Sequence, residues 1–163
     1  MIQATTETNI TAYIDVKDNL SGVQTDTTKI RFLVKFINDL DGSVDYSYST
    51  SSTVYDRYTK LAFTYQSVLA NVDMFDSEVH LLPAGYYKYE VYEVSWIGTV
   101  TVRTGYAPAT ETDVLSPAAD DKGIVRGLIT KGKMYLAEKN GTQQVQYTQR
   151  QEPSGTNYIY YGQ

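Results

Sequence analysis

Apolar residues recur at every second position along most of the chain, and this two-residue period predicts strands rather than helices. Residues 9–16 place Ile10, Ala12, Ile14 and Val16 on one face. Residues 30–37 (IRFLVKFI) are apolar enough for a central strand, and the NDLDG that follows supplies a turn at Asp41 and Gly42, where positive backbone dihedrals are tolerated. Residues 43–52 (SVDYSYSTSS) alternate Val44, Tyr46 and Tyr48 with small polar residues, and residues 58–66 (YTKLAFTYQ) read as another half-buried strand. Residues 66–75 (QSVLANVDMF) are short, with ambiguous apolar spacing, and allow one helical turn at most. Alternation returns in residues 87–94 (YKYEVYEV) and in residues 127–138 (GLITKGKMYLAE), where Leu128, Met134 and Leu136 mark the core face of a closing strand.

The stretch LLPAGYY, residues 81–87, spaces Leu81, Pro83, Gly85 and Tyr87 in a pattern that resembles the tyrosine corner of fibronectin type III and related domains. In such a corner Leu81 closes one strand, Pro83 and Gly85 turn the chain, and Tyr87 hydrogen-bonds to backbone a few residues upstream. The resemblance implies an all-β fold, an immunoglobulin-like or fibronectin III-like antiparallel Greek-key sandwich. If Tyr87 points inward, so do Tyr89 and Val91, leaving Lys88, Glu90 and Tyr92 outside. On this reading residues 1–139 form the sandwich, with an insertion at about 98–123, and residues 140–163 form an extended C-terminal arm.

The insertion begins as a strand at Gly98 and becomes rich in Ala, Pro, Thr and Asp, which is loop composition. It is too long for a hairpin, and long loops in compact domains are usually there for contacts. Tyr106 is its candidate contact residue. The arm (NGTQQVQYTQRQEPSGTNYIYYGQ) is polar, yet it carries Tyr147 and ends on Tyr158, Ile159, Tyr160 and Tyr161. Exposed apolar surface gains about 25 cal/mol per Å² when covered. The arm is therefore expected to dock on a neighbour or to fold back as an edge strand.

Composition narrows the function classes. Sixteen tyrosines against four phenylalanines favour half-buried strands and interfaces, where a large ring can keep its hydroxyl wet. The net charge is −5, and the 14 basic residues are scattered, so no nucleic-acid partner is expected. With no cysteine there is no disulfide, thiolate metal site or cysteine nucleophile. The N-terminal residues MIQATTETNITAYIDV lack a basic and an apolar region, and no apolar run is long enough for a bilayer, so a product made in the cytoplasm with no membrane partner is expected.

Catalytic constellations are thin. His80 is the single histidine, and without a second histidine or a cysteine it would need three carboxylates to complete a metal site. Asp39 and Asp41 in NDLDG lack the remaining ligands of a calcium loop, and Asp120 and Asp121 form only an adjacent acidic pair. Glu90 and Glu93 lie too close along one strand to act as an acid and a base across a substrate. No serine nucleophile elbow is present, and the GKM at 132–134 lacks the glycine pattern of a phosphate loop. The expectation is a protein that is not an enzyme, with no cofactor and no metal.

Residues 82–94 (LPAGYYKYEVYEV), followed after the insertion by residues 127–135 (GLITKGKMY), resemble small virion structural proteins of tailed bacteriophages, particularly crAss-like and related phages of Bacteroidetes hosts. In those proteins a similar strand of the form aG.Y.YEvYE is followed by one of the form lv..GkM.v and a short C-terminal tail. The resemblance implies a virion subunit: a ring or collar component, a head-tail connector of the portal-proximal tail, or a capsid accessory (decoration) protein. Its partners would be copies of itself and portal, tail or capsid proteins. The alternative from the residues alone is a carbohydrate- or receptor-binding module, with Tyr46, Tyr48 and Tyr92 as a glycan-stacking face.

Overall fold

The computed structural model describes residues 1–49, 52–55, 58–115 and 121–140. They fold as an all-β protein of two sheets. The strands are β1 (Ile2–Thr5), β2 (Ile10–Ile14), β3 (Ile30–Asn38), β4 (Val44–Ser49), β5 (Ser52–Val54), β6 (Thr59–Tyr65), β7 (Glu78–Val79), β8 (Gly85–Ser95) and β9 (Ile124–Ala137). The larger sheet has the order β1-β9-β8-β3-β4, and the smaller the order β2-β6-β5, with the short β7 added parallel to β6. All other pairings are antiparallel except β1 with β9, which is parallel.

The two-residue period explains the core directly. Ile10, Ala12 and Ile14 of β2 and Leu61 and Phe63 of β6 face Phe32, Val34, Phe36, Tyr87, Tyr89, Val91, Met134 and Leu136 of the larger sheet. Phe36 and Phe63 meet edge to face across this core, with ring centroids 5.5 Å apart. Residues 30–37 occupy the second position in from one edge of the larger sheet, flanked by β4 and β8. The NDLDG turn closes through the Gly42 amide, which donates to the Asn38 carbonyl, and Gly42 takes a φ of +74°.

Three sequence expectations change. Residues 66–75 and their surroundings hold two short 3₁₀ turns, Leu69–Asn71 and Met74–Asp76, rather than one. No strand begins at Gly98: residues 98–115 run as turns and bends. Leu128 is exposed, and Ile129 takes the core position instead. The cause is an irregularity in the β8–β9 ladder, where Val91 pairs with Thr130 but Tyr92 with Leu128, so one extra residue inverts the parity of β9. A second shift beside Glu93 and Val94 coincides with Gly127, whose φ of +150° suits glycine.

Candidate interaction surface

The corner residues come together as a hydrogen-bonded unit. Leu81 is buried, and the Leu82–Pro83 peptide is cis. The Tyr87 hydroxyl donates to the Pro83 carbonyl at 2.7 Å and accepts from Asn38 Nδ2 at 3.1 Å. Burial pushes the Tyr87 phenol up to about 12, so it stays a neutral donor. Gly85, with φ of +148°, starts β8 immediately after this corner.

The insertion is spent largely on its own domain. Its described residues lie over the outer face of the larger sheet, where Leu33, Tyr48, Val94, Trp96 and Ala107 form a second buried cluster, joined by Tyr92, Val100, Val102 and Val125. Tyr48 donates its hydroxyl to the Pro108 carbonyl at 2.7 Å and stacks on Phe75. Burial drives its phenol pKa far upward. Tyr106 is half-buried, and the Arg103 guanidinium sits 4.1 Å from its ring centre.

A polar cluster fastens this loop. Glu111 accepts from Lys35 Nζ at 2.6 Å and from the Tyr46 hydroxyl at 2.5 Å, while Tyr92 donates to Glu90 at 2.7 Å. Burial opposes ionisation of Glu111, but the Lys35 ammonium and the Tyr46 hydroxyl outweigh it and hold the carboxyl below its usual range. Asp113 caps the loop from within, accepting from the Thr110 hydroxyl and from the amides of Ala109 and Thr110. Its carboxyl is lowered chiefly by the Thr110 hydroxyl.

This placement removes the glycan-stacking face expected from Tyr46, Tyr48 and Tyr92. Tyr48 is fully buried, and the other two are half-covered and tied to carboxylates. All three do stand on the outer face, as alternation predicts; the insertion then covers them. The tyrosines that do reach solvent are others. Tyr13 on β2 is 61% exposed and meets Tyr58 edge to face at 5.4 Å, and Tyr58 lies 4.7 Å from Tyr55. On the larger sheet Tyr86 is 57% exposed and lies 5.0 Å from Tyr135 across the β8–β9 pair. Both exposures follow from alternation, since inward Ile10, Ala12 and Ile14 on β2 send Tyr13 outward, and an inward Tyr87 sends Tyr86 outward.

The titratable candidates are held by hydrogen bonds and ion pairs. His80 Nδ1 lies 2.7 Å from the Gln66 carbonyl and therefore donates to it, and the ring stacks on Tyr65. Asp41 accepts from the Ser43 amide in the turn, and Asp39 pairs with Lys88 at 3.1 Å. Glu90 and Glu93 face opposite sides of β8; the buried Glu93 carboxylate accepts from the amide and hydroxyl of Ser21 at 2.7 and 2.8 Å. Among the described residues no group of three His, Asp or Glu side chains is placed to hold a metal, and no helix is long and apolar enough to cross a membrane. A cleft of about 230 Å³ between Thr6, Glu7, Pro83 and Lys139 is below the usual size of a small-molecule site. Asp120 and the arm residues Tyr147, Tyr158, Ile159, Tyr160 and Tyr161 lie outside the described residues.

Comparison with known proteins finds no matching family, no matching curated protein and no matching solved structure.

Proposed function

We propose that this chain is a non-enzymatic structural subunit of a tailed-phage virion, a ring or collar component or a head-tail connector. The observation that carries the reading is where the aromatic surface lies. His80, Asp39, Asp41, Glu90 and Glu93 are engaged in hydrogen bonds and ion pairs within the domain, whereas Tyr13, Tyr55 and Tyr58 are clustered in solvent beside the smaller sheet. Solvent-facing tyrosines on a rigid antiparallel frame are the anchors of protein interfaces, where a ring covers area at low entropic cost.

On this reading the frame is immunoglobulin-like. Its support is the split of strands into β1-β9-β8-β3-β4 and β2-β6-β5, which parallels the two-sheet division of variable-type immunoglobulin domains, together with the Tyr87 to Pro83 hydrogen bond at the corner. The outward side of the insertion, with Val114 90% exposed, and the arm are the parts that meet neighbours in the particle.

The test is mass spectrometry of density-purified tailed-phage particles from cells in which this chain is made. Its peptides should co-purify with the particles at a fixed ratio to the portal. Particles free of them would overturn the reading.

A further inference from the structure

We propose that the free edge of β2, with Tyr13 on its outer face, accepts residues 141–163 of a neighbouring copy as an added strand; the proposal rests on the reading of the chain as an assembling subunit. β2 is the terminal strand of the smaller sheet, bonded only to β6. Among the described residues Ile10–Ile14 make no backbone hydrogen bond beyond that ladder, so the alternate amides and carbonyls facing outward have no partner among them. The strand ITAYI contains none of the usual guards of an edge, neither proline, lysine nor bulge. The other edges are less open. β1 and β5 span four and three residues, and β4 is tied at its end to β6, where Ser49 Oγ accepts from the Ala62 amide.

The occupant is indicated by where the described chain stops. The Thr6 amide donates to the Ala137 carbonyl, the Lys139 amide donates to Thr6 Oγ1, and Lys139 pairs with Glu7 at 3.4 Å. Residue 140 therefore stands beside the turn that leads into β2. The remaining 23 residues reach at most about 80 Å when extended, at 3.3–3.6 Å each. Covering β2 takes only about 17 Å. Leaving at the start of β2, the segment runs parallel to its own edge unless it first crosses β2 and turns back; on a neighbour it can add antiparallel, the more stable pairing, with no such turn. Such a head-to-tail contact repeats around a ring. Within the segment Val145 and Tyr147 alternate with polar residues, whereas Tyr158, Ile159, Tyr160 and Tyr161 form a continuous apolar end, and side chains of an added strand would stand beside Tyr13 on the outer face.

Hydrogen exchange of residues 10–14 in the full-length chain tests this, read above and below the concentration at which it assembles. The expected result is protection of the alternate amides by at least about tenfold in the assembly, lost on dilution and restored when excess peptide of residues 141–163 is added to the diluted chain. A full-length Y147S/Y158S/Y160S variant should also lose it, with Trp96 fluorescence unchanged as the sign of an intact fold. Assembly with rapidly exchanging β2 amides would overturn this docking site and leave the assembly reading standing. Protection in a monomer would mean that the segment covers its own edge, and would overturn the proposal. No assembly at any concentration would overturn both.

Discussion

Gly123 lies so close against the indole of Trp96 that a β-carbon at that position would fall 2.7 Å from the ring. The contact joins the end of the insertion to the floor of the second core, and the Gly123 amide reinforces it by donating to the Tyr106 carbonyl. Trp96 is the only tryptophan and is fully buried, so its fluorescence reports whether the insertion is seated.

Gly123→Ala should therefore overpack this contact, because Val94 and a rigid indole rather than a flexible side-chain end receive the methyl group. The expected cost is about 1–3 kcal/mol in chemical denaturation, with a red-shifted Trp96 emission. Unchanged stability and emission would show that the insertion does not bear on the core.

Acid should loosen the same loop. Glu111 and Asp113 both have carboxyls held below their usual range in the folded protein. Groups of this kind contribute stability that is present above the unfolded value of about 4 and is lost as pH falls through the lower folded values. Trp96 emission should shift to the red below pH of about 4, and Glu111→Gln should move the onset to higher pH. A profile identical in the variant would remove Glu111 from the account.

Tyr87→Phe should destabilise without unfolding. It deletes the bond to the Pro83 carbonyl and leaves the buried Asn38 Nδ2 without its phenol acceptor, a loss of about 1–3 kcal/mol. Urea denaturation measures it, and a cost near zero would mean that the corner hydroxyl is replaced by water.

Tyr89 lies across Gly132 on the paired strand, where a β-carbon would fall 2.6 Å from its hydroxyl oxygen. Gly132→Val should cost about 1–3 kcal/mol by overpacking and displace the ring toward solvent. Combining it with Tyr89→Ala should give a strongly non-additive loss, since the ring then no longer opposes the new side chain. Additive losses would mean that the two residues act separately.

The strands were largely legible, because period-two alternation survives wherever one face is buried: residues 9–16, 30–37 and 58–66 all contribute the core side chains that their spacing predicts. Leu128 shows where that logic stops. A one-residue bulge leaves no mark in local composition, yet it reverses the faces beyond it. Tyr46, Tyr48 and Tyr92 show a second limit. Alternation assigns them to the outer face correctly, but only the path of a sequence-distant loop determines whether that face meets solvent. The exposed Tyr13 was readable by parity, whereas its pairing with Tyr55 and Tyr58 depends on how β2 and β6 align.

The central claim, that this chain works by assembling through its outward aromatic surface, is tested most directly by native mass spectrometry of the full-length chain over a range of concentrations. The account predicts a discrete species at a fixed multiple of 18.3 kDa, which Tyr13→Ala combined with Tyr58→Ala returns to the monomer with Trp96 emission unchanged. A mass of 18.3 kDa at every concentration, or an oligomer indifferent to both substitutions, would contradict it.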